Sequence, residues 1–215
     1  MQMHIIKKKR IKNHIHTDHT LIINEIEKSI KFYNWDFILS SLPSGSYLVG
    51  GYIRDLILGR LNSLIDVDII VPKNAIKVGK KIADKFQGKF IILDDEREVI
   101  RIIFKHISID IASQISTSIT TDLFSRDFSI NAIAFSFEKK FLIDPSNGIK
   151  DLQLSLLRTN SKQNLLDDPL RILRCFRFVS ELNFNVDVNL INFIKIYKNQ
   201  LSLVANERIN FEIKR

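Results

Sequence analysis

Cysteine is almost absent from this sequence, and long apolar runs are missing altogether. Among 215 residues there is one cysteine, Cys175, so an intrachain disulfide and a cysteine-built metal cluster are both excluded. Its neighbours are apolar, and we expect it to be an inert core residue. No run of about 18 apolar residues occurs, so we expect no membrane span. The N-terminus is charged where a signal peptide needs its apolar segment, which favours a cytoplasmic location.

Positive charge is in excess, with a formal net charge of +8. This favours a polyanionic partner such as nucleic acid, and the alternative is a general compositional bias towards lysine. Residues 1–20 form a basic arm that also holds four of the five histidines. A frayed, solvated tail is the favoured interpretation of this arm, and a segment that touches phosphates is the alternative. Its cations are Lys7, Lys8, Lys9, Arg10 and Lys12.

Residues 47–71 carry the strongest chemical signal. A short apolar strand breaks at Gly50-Gly51, a short helix follows, and a second strand contains Asp66 and Asp68. Because residues two apart in a strand share a face, the two carboxylates project together. Two carboxylates on one face of a buried strand need a cation or another partner. The glycine pair lets a ligand approach the backbone, and a helix N-terminus favours an anion. The stretch therefore predicts a site for a metal-bound polyphosphate.

The remaining patterns indicate an α+β domain followed by helices. We expect a helix over 21–39 and a helix capped by Asn74 that runs to about Gln87 and ends at Gly88. Loop-forming residues near 145–150 mark a domain boundary, and the pattern is helical from Lys150 onward. Strands are expected at 89–93, 99–104 and 107–111, two short helical turns within 121–132, and a hairpin from 132–137 with 141–143.

Asp110 lies in the middle of the last of the three strands, in the sequence Ile107–Ile111. If that strand neighbours the one with Asp66 and Asp68, the three carboxylates approach one another. A strand aspartate at a sheet edge that faces water is the alternative, and the sequence leaves both open.

The helix expected over 168–183 carries a file of charged side chains. Asp168 precedes Pro169, and Arg171, Arg174 and Arg177 follow at a spacing of three, so each arginine lies beside the next. One interpretation is a solvated basic face paired with nearby acids. The other is base recognition, because a carboxylate acceptor beside guanidinium donors matches the edge of cytosine or adenine. The buried stripe is expected to comprise Leu170, Leu173, Phe176 and Val179.

Five stretches together resemble one family. LVGGYIRDLILGR…DVDIIV, SRDFSINAIAF, DPSNGIKDL, DDPLRILRCFRF and NERINFEIKR occur in the order typical of bacterial-type (class II) tRNA nucleotidyltransferases and the related bacterial poly(A) polymerases. The resemblance spans Tyr47 to the C-terminus. It implies a polymerase beta-like nucleotidyltransferase head with a mixed sheet and flanking helices at 21–148. An all-α neck at 149–215 follows, apparently truncated.

The resemblance also implies roles for individual residues. Asp66 and Asp68 would hold two Mg²⁺ ions, and Asp110 matches a third acidic position. The triphosphate would lie against Gly50, Gly51 and Arg54. The nucleotide sugar would be contacted by Arg126, Asp127 and Asn131. Asp168 and Arg171 would read the base, with Arg174 and Arg177 in support, and Glu207 and Arg208 would support the neck.

The implied activity is the addition of C and/or A, from CTP and ATP, to the 3′ end of tRNA. Alternatives are a poly(A) polymerase and a truncated, non-catalytic RNA-binding module; the sequence leaves the oligomeric state open. Ser125-Arg126 replaces the usual arginine pair, and Asp167-Asp168 replaces the usual Glu-Asp. The segment from Asp110 to Arg126 is short, which favours partial addition such as CC. Family members normally continue beyond the neck, whereas this sequence ends at Arg215.

Overall fold

The structure is a computed structural model and describes residues 18–214. A seven-stranded mixed sheet has the order β3-β4-β5-β2-β1-β6-β7, in which only β2 and β5 pair in parallel. The α+β class expected from the sequence is therefore confirmed. The strands are β1 Tyr47–Val49, β2 Ile65–Val71, β3 Lys89–Asp94, β4 Val99–Ile103, β5 Ile107–Ser113, β6 Ala134–Ser136 and β7 Leu142–Ile143.

Helices flank this sheet and continue after it. They are α1 His19–Phe32, α2 Gly51–Ile57, α3 Ala75–Phe86, α4 Ile119–Phe124, α5 Gly148–Gln153, α6 Lys162–Asp167, α7 Leu170–Leu182, α8 Val188–Tyr197 and α9 Asn206–Ile213. Short 3₁₀ segments lie at Asp36–Ser41, Ser129–Asn131 and Lys198–Leu203. In the described part of the chain, none of the helices combines the length and the apolar content needed to cross a bilayer.

Strand alternation gives the central strands two different faces. In β2, Ile65, Val67 and Ile69 are buried on one face, while Asp66 and Asp68 occupy the other. The apolar face packs into the main core with the buried residues of β4 and β5 and of helix α3. The opposite face carries Asp66 and Asp68 and, further along the strand, Ile70, which packs in a smaller apolar cluster with Val49 and Leu123.

The helix expected over 21–39 is wrong as a single element. Asp18 caps α1 by accepting a hydrogen bond from Thr20 N at 2.8 Å, so the arm expected over 1–20 already enters a helix. The rest of the arm, with its lysines, lies outside the described residues. Helix α1 ends before Asn34, whose φ of 53° is left-handed, a conformation that asparagine tolerates better than most residues. This break turns Trp35 into the core.

The ends of α3 also differ from expectation. Asn74 adopts a left-handed conformation and its side chain does not cap the helix. The Oγ atom of Ser113 instead accepts a hydrogen bond from Ala75 N at 3.0 Å. Gln87, with φ 57°, ends the helix one residue before the expected Gly88. Both differences arise from tertiary contacts and backbone conformations that a local pattern does not encode.

The three strands that follow α3, the helical turns within 121–132 and the hairpin of β6 with β7 agree with expectation. The later region is not wholly helical, because β8 (Leu156–Leu157) pairs in parallel with β9 (Asn185–Val186). The domain boundary near residue 148 stays a prediction. Helix α5 packs closely on the head, where Ser129 Oγ donates to Asp151 Oδ2 at 2.5 Å.

The buried stripe expected for α7 is confirmed at Leu170 but wrong at Leu173 and Phe176. The buried residues are Leu170, Ile172, Cys175 and Phe178, whereas Phe176 is 57% exposed and Leu173 is half-buried. The helix is rotated because Phe178 packs edge-to-face on Phe128 of the head, with ring centroids 5.6 Å apart. Cys175 is buried as expected, and burial raises the pKa of its thiol to about 12.

Candidate functional site

A polar cavity of about 720 Å³ lies between the polar face of the sheet, helix α2 and helix α7. Its volume falls in the range of small-molecule and cofactor pockets. The structure brings most of the expected site residues to its wall. These are Gly50, Gly51, Arg54, Asp66, Asp68, Asp110, Arg126, Asp127, Asn131, Arg174 and Arg177.

Three carboxylates meet at the floor of the cavity. Strand β5 pairs in parallel with β2, and Asp110 lies directly opposite Asp68 in the register. The strand of Asp110 therefore neighbours the strand of Asp66 and Asp68. This is the arrangement that would let the three carboxylates approach one another. Asp66 is exposed, and Asp68 and Asp110 are half-buried.

The charge of Asp68 is costly in this position. Burial raises the pKa of its carboxyl, and the negative charges of Asp110 and Asp66 raise it further, against the opposing effect of Arg126. A bound cation would remove this penalty by favouring the charged form of the carboxyl group.

Asp110 has a strong partner that the sequence did not predict. Arg101 of β4 donates from Nε to Asp110 Oδ1 at 2.7 Å and from Nη2 to Oδ2 at 2.8 Å. The signal was available, because Arg101 occupies an inner polar position of an otherwise apolar strand. Its contact with Asp110 depends on β4 pairing with β5, which the pattern of one strand does not encode.

The donor set fits a divalent metal ion of the Mg²⁺ type held partly by a ligand. Within residues 18–214 no three His, Cys, Asp or Glu side chains are arranged to hold an ion by themselves. Asp110 is engaged by Arg101, which leaves the carboxylates of Asp66 and Asp68. Mg²⁺ is commonly bound by one or two carboxylates together with substrate phosphates and water. The two aspartates satisfy that requirement.

Gly50 allows a close approach beside the carboxylates. Its φ is +74°, and a Cβ atom there would lie 3.0 Å from both Asp68 Oδ2 and Arg126 Nη1. A side chain at this position would therefore displace both groups and strain the backbone. The glycine keeps the space between the strand and Arg126 open.

Arg54 is fixed on several sides, and its side chain is only 11% exposed. It donates to both oxygens of Asp55, at 2.9 and 2.7 Å, and to Asn131 Oδ1 at 2.7 Å. Its guanidinium lies 5.0 Å from the ring centroid of Phe178 in α7. The sequence did not predict the parts that Asp55 and Phe178 play in positioning this cation.

Arg126 is held less completely. Its Nε atom is buried and has no hydrogen-bond partner among the described residues. The nearest carboxylate contact is Asp122 Oδ1 at 3.8 Å. Its Nη1 atom instead lies beside the open space at Gly50, so this end of the guanidinium is suited to bind an anion that enters the cavity.

Asp127 links the head to α7. It is 6% exposed and accepts hydrogen bonds from Arg174 Nε at 2.7 Å, Asn131 Nδ2 at 3.1 Å and Phe128 N at 2.8 Å. Burial by itself would raise the pKa of Asp127, but the charge of Arg174 and these hydrogen bonds outweigh it and hold the pKa below its ordinary value.

Two expected base-reading residues lie outside the cavity lining. Asp168 pairs with Arg208 of α9 at 3.1 Å, and Arg171 Nη1 donates to the backbone oxygens of Ser125 at 2.9 Å and Asn164 at 3.2 Å. Arg177, further along α7, reaches the cavity and pairs with Glu181 and Glu212.

Comparison with known proteins agrees with this geometry. The family model described as "Poly A polymerase head domain" matches residues 46–158. A "CC-adding tRNA nucleotidyltransferase" of Synechocystis sp. is 39% identical over 82% of this chain and 42% of its own length. One of Geobacter sulfurreducens is 35% identical over 83% of this chain and 44% of its own. The chain therefore spans about two fifths of the length of these relatives.

A solved structure shares the fold. "The structure of CCA-adding enzyme apo form I" superposes with a TM-score of 0.75 and 28% identity, covering 90% of this chain and 48% of that one. Its similarity extends past the sheet into the helices that close the cavity, because the shared part exceeds the region matched by the family model.

Proposed function

Because the chain belongs to the family of bacterial-type tRNA nucleotidyltransferases and poly(A) polymerases, we propose that it transfers nucleotides from a nucleoside triphosphate to the 3′ end of tRNA. The observation that carries this proposal is the pair Asp66 and Asp68, flanked by the open backbone of Gly50 and the Nη1 end of the Arg126 guanidinium. A cavity with carboxylates beside anion-binding donors suits a metal-bound triphosphate.

We propose CTP and ATP as the nucleotide donors, with the addition of C as the first expectation. The short Asp110 to Arg126 segment and the CC-adding activity named for the relatives support that order. A poly(A) polymerase is the second candidate, because the matching family model is described by that name. It predicts long A tracts on unrelated RNAs and no use of CTP.

The proposed triphosphate position is the side of the cavity formed by Gly50, Gly51, Arg54 and Arg126. Asp127 and Asn131 would contact the sugar, because they lie between Arg54 and α7. The family generally uses divalent metal ions, and we propose that Asp66 and Asp68 hold Mg²⁺, with two ions in the complete complex. Metal held there would lower the pKa of the RNA 3′-hydroxyl and offset the negative charge of the triphosphate.

In the proposed reaction the 3′-hydroxyl of the RNA releases its proton to solvent, and its oxygen attacks the α-phosphorus of the nucleotide. A new P–O bond forms, the bond from the α-phosphorus to the bridging oxygen breaks, and pyrophosphate leaves with the charge of that oxygen. Arg54 and Arg126 would stabilise the charge that develops on the leaving group. The fixed positions of Arg54 and Asp127 would orient the nucleotide for attack.

Base recognition is assigned to Asp168 and Arg171, with Arg174 and Arg177 in support. Arg174 and Arg177 line the cavity, Arg171 precedes them on α7, and Asp168 lies two residues before that helix begins. Reading a base would require Asp168 to exchange its contact with Arg208, and Arg171 its contact with Ser125. A base edge with a hydrogen-bond donor beside an acceptor could replace these contacts, because the donor would pair with the Asp168 carboxylate and the acceptor with the Arg171 guanidinium.

The test incubates the pure protein with tRNA lacking its CCA end, Mg²⁺ and each labelled nucleoside triphosphate in turn. We expect incorporation from CTP, and a loss of at least about 10³-fold in Asp68→Asn, because the charge that holds the metal is removed. The matched control is Asp84→Asn, which changes an exposed aspartate of α3. A folded protein that incorporates no nucleotide overturns the proposal. RNA binding that is then unaffected by Asp66→Ala would favour a non-catalytic RNA-binding module.

A further inference from the structure

Three charged side chains form a row across adjacent strands at the floor of the cavity. Asp68 of β2 lies opposite Asp110 of β5, and Asp110 lies opposite Arg101 of β4. Because directly opposed residues share a face of a sheet, all three point to the cavity side. The row places a cation at the outer end of the carboxylate cluster.

Arg101 has more hydrogen-bonding capacity than Asp110 uses. A guanidinium carries five N–H donors, and the pair with Asp110 occupies Nε and Nη2. No residue within 18–214 accepts a hydrogen bond from its Nη1 atom, and the side chain is 40% exposed at the cavity wall. The remaining donors are therefore available to a ligand that approaches from solvent, and a guanidinium suits phosphate oxygens.

Arg101 and Arg126 lie on opposite sides of Asp68. Along the sheet, Gly50 follows β1 on one side of Asp68, and Arg126 lies against Gly50. Arg101 stands on the other side, beyond β5. Phosphoryl transfer places the attacking and leaving oxygens roughly in line. If the triphosphate occupies the Gly50 and Arg126 side, the attacking oxygen must arrive from the side of Arg101.

The surface beside Arg101 is open and partly apolar. Ile103 lies two residues along β4 on the same face and is 39% exposed, and Ile91 of β3 lies opposite Arg101. A ribose or base has apolar faces that can lie against such side chains while its phosphate meets the guanidinium. The combination matches single-stranded RNA better than a free inorganic anion.

On these grounds we propose that Arg101 binds the RNA acceptor, donating from Nη1 to a phosphate near the RNA 3′ end while its other donors hold Asp110. This inference deepens the proposed function and rests on it for the direction of attack. Arg101 thereby differs from Arg54 and Arg126, which face the nucleotide. A purely structural Arg101, which only positions Asp110, is the alternative that the experiment separates.

The experiment measures the affinity for tRNA lacking its CCA end by fluorescence anisotropy, over a series of KCl concentrations and without nucleotide. We expect Arg101→Gln to weaken binding about tenfold, the loss of one charge-assisted contact. The slope of log affinity against log salt should fall by about 0.7, the value for one phosphate of a single strand. The affinity for CTP should stay within about twofold. The matched control, Arg97→Gln, changes an arginine of the β3–β4 turn that is 78% exposed and should leave RNA affinity unchanged.

Asp110→Asn separates the two roles of Arg101. If Arg101 contacts RNA, this variant keeps at least wild-type RNA affinity, because the guanidinium remains and a repelling charge is gone. Equal losses in Asp110→Asn and Arg101→Gln overturn the proposal, as does a wild type that binds RNA no more tightly than Arg101→Gln. Wild-type transfer activity is scored separately. Absent transfer together with an Arg101-dependent affinity would remove the proposed function and leave the RNA contact in place.

Discussion

Replacing Asp127 by Asn tests the contact between the region that carries the seven-stranded sheet and helix α7. The carboxylate is 6% exposed and receives both Nε and Nη2 of Arg174, at 2.7 and 2.6 Å. An asparagine of the same shape can still accept from Phe128 N. However, its amide nitrogen then replaces Oδ2, the one oxygen that both Nε and Nη2 of Arg174 contact, so the cation loses its charged partner and faces an amide donor.

The expected cost follows from burial. Removing one partner of a buried pair typically destabilises by about 3–5 kcal/mol. The side chain of Arg174 is 30% exposed and can regain water, so we expect about 2–4 kcal/mol. For a chain of this size each kcal/mol lowers the melting temperature by about 2–4 °C. The variant should therefore melt at least about 4 °C below the wild type.

The measurement is denaturant unfolding at several pH values, with thermal melting at pH 7. Because folding lowers the pKa of Asp127 below its ordinary value of 3.8, its charge stabilises the fold above that pH, and the contribution is lost as pH falls through the folded-state value. The difference in the free energy of unfolding between wild type and variant should be equal at pH 7 and pH 5 and should shrink below pH 4. Asp84→Asn, an exposed control, should change stability by less than about 0.5 kcal/mol. A variant that melts within about 2 °C of the wild type would refute the reasoning.

Three further predictions concern small residues. Gly50→Ala should lower kcat by at least about 10²-fold because its Cβ would displace Arg126 and Asp68. The control is Gly59→Ala, where φ is +63° and no atom lies within 4 Å of the added Cβ. This variant should show the effect of backbone strain alone and keep activity. Gly79→Ala should destabilise by about 1–3 kcal/mol in urea unfolding, because its Cβ would lie 2.7 Å from Ile100 Cγ1, and unchanged or raised stability would contradict this. Cys175, with a pKa of about 12, should resist iodoacetamide at pH 8 until the protein is unfolded, as followed by mass spectrometry.

Local patterns were sufficient for most of the sheet and for the placement of its carboxylates. Period-two alternation gave Asp66 and Asp68 a common face, and the strand lengths around Asp110 agreed with those observed. The sequence did not predict whether β5 lies beside β2, so the approach of Asp110 to Asp66 and Asp68 was left open. Strand order is set by long-range packing, which no single segment encodes.

The contacts that hold the site were mostly beyond local inference. Asp55 is adjacent to Arg54 in sequence, yet its role depends on both side chains turning together into the cavity. Phe178 was expected only as part of a helix, and its position over Arg54 depends on how α7 is rotated against the head. The predicted buried stripe with Phe176 was wrong because this rotation of α7 buries Phe178 and leaves Phe176 exposed.

The rotation of α7 has a consequence for the cavity. The wall opposite the carboxylates is built by Arg174, Arg177 and Phe178 of that helix, all beyond residue 158, where the match to the head-domain model ends. Phe178 lies within 5.5 Å of three guanidinium groups, those of Arg54, Arg174 and Arg177. The ring packs against these three guanidinium groups, which also pair with Asp55, Asp127 and Glu212 respectively, and so helps to hold them in place at the cavity wall. The region that carries the sheet thus supplies the carboxylates, but the docked helix is needed to enclose the proposed nucleotide, so any change that loosens α7 should weaken nucleotide binding before it affects the proposed metal ligands.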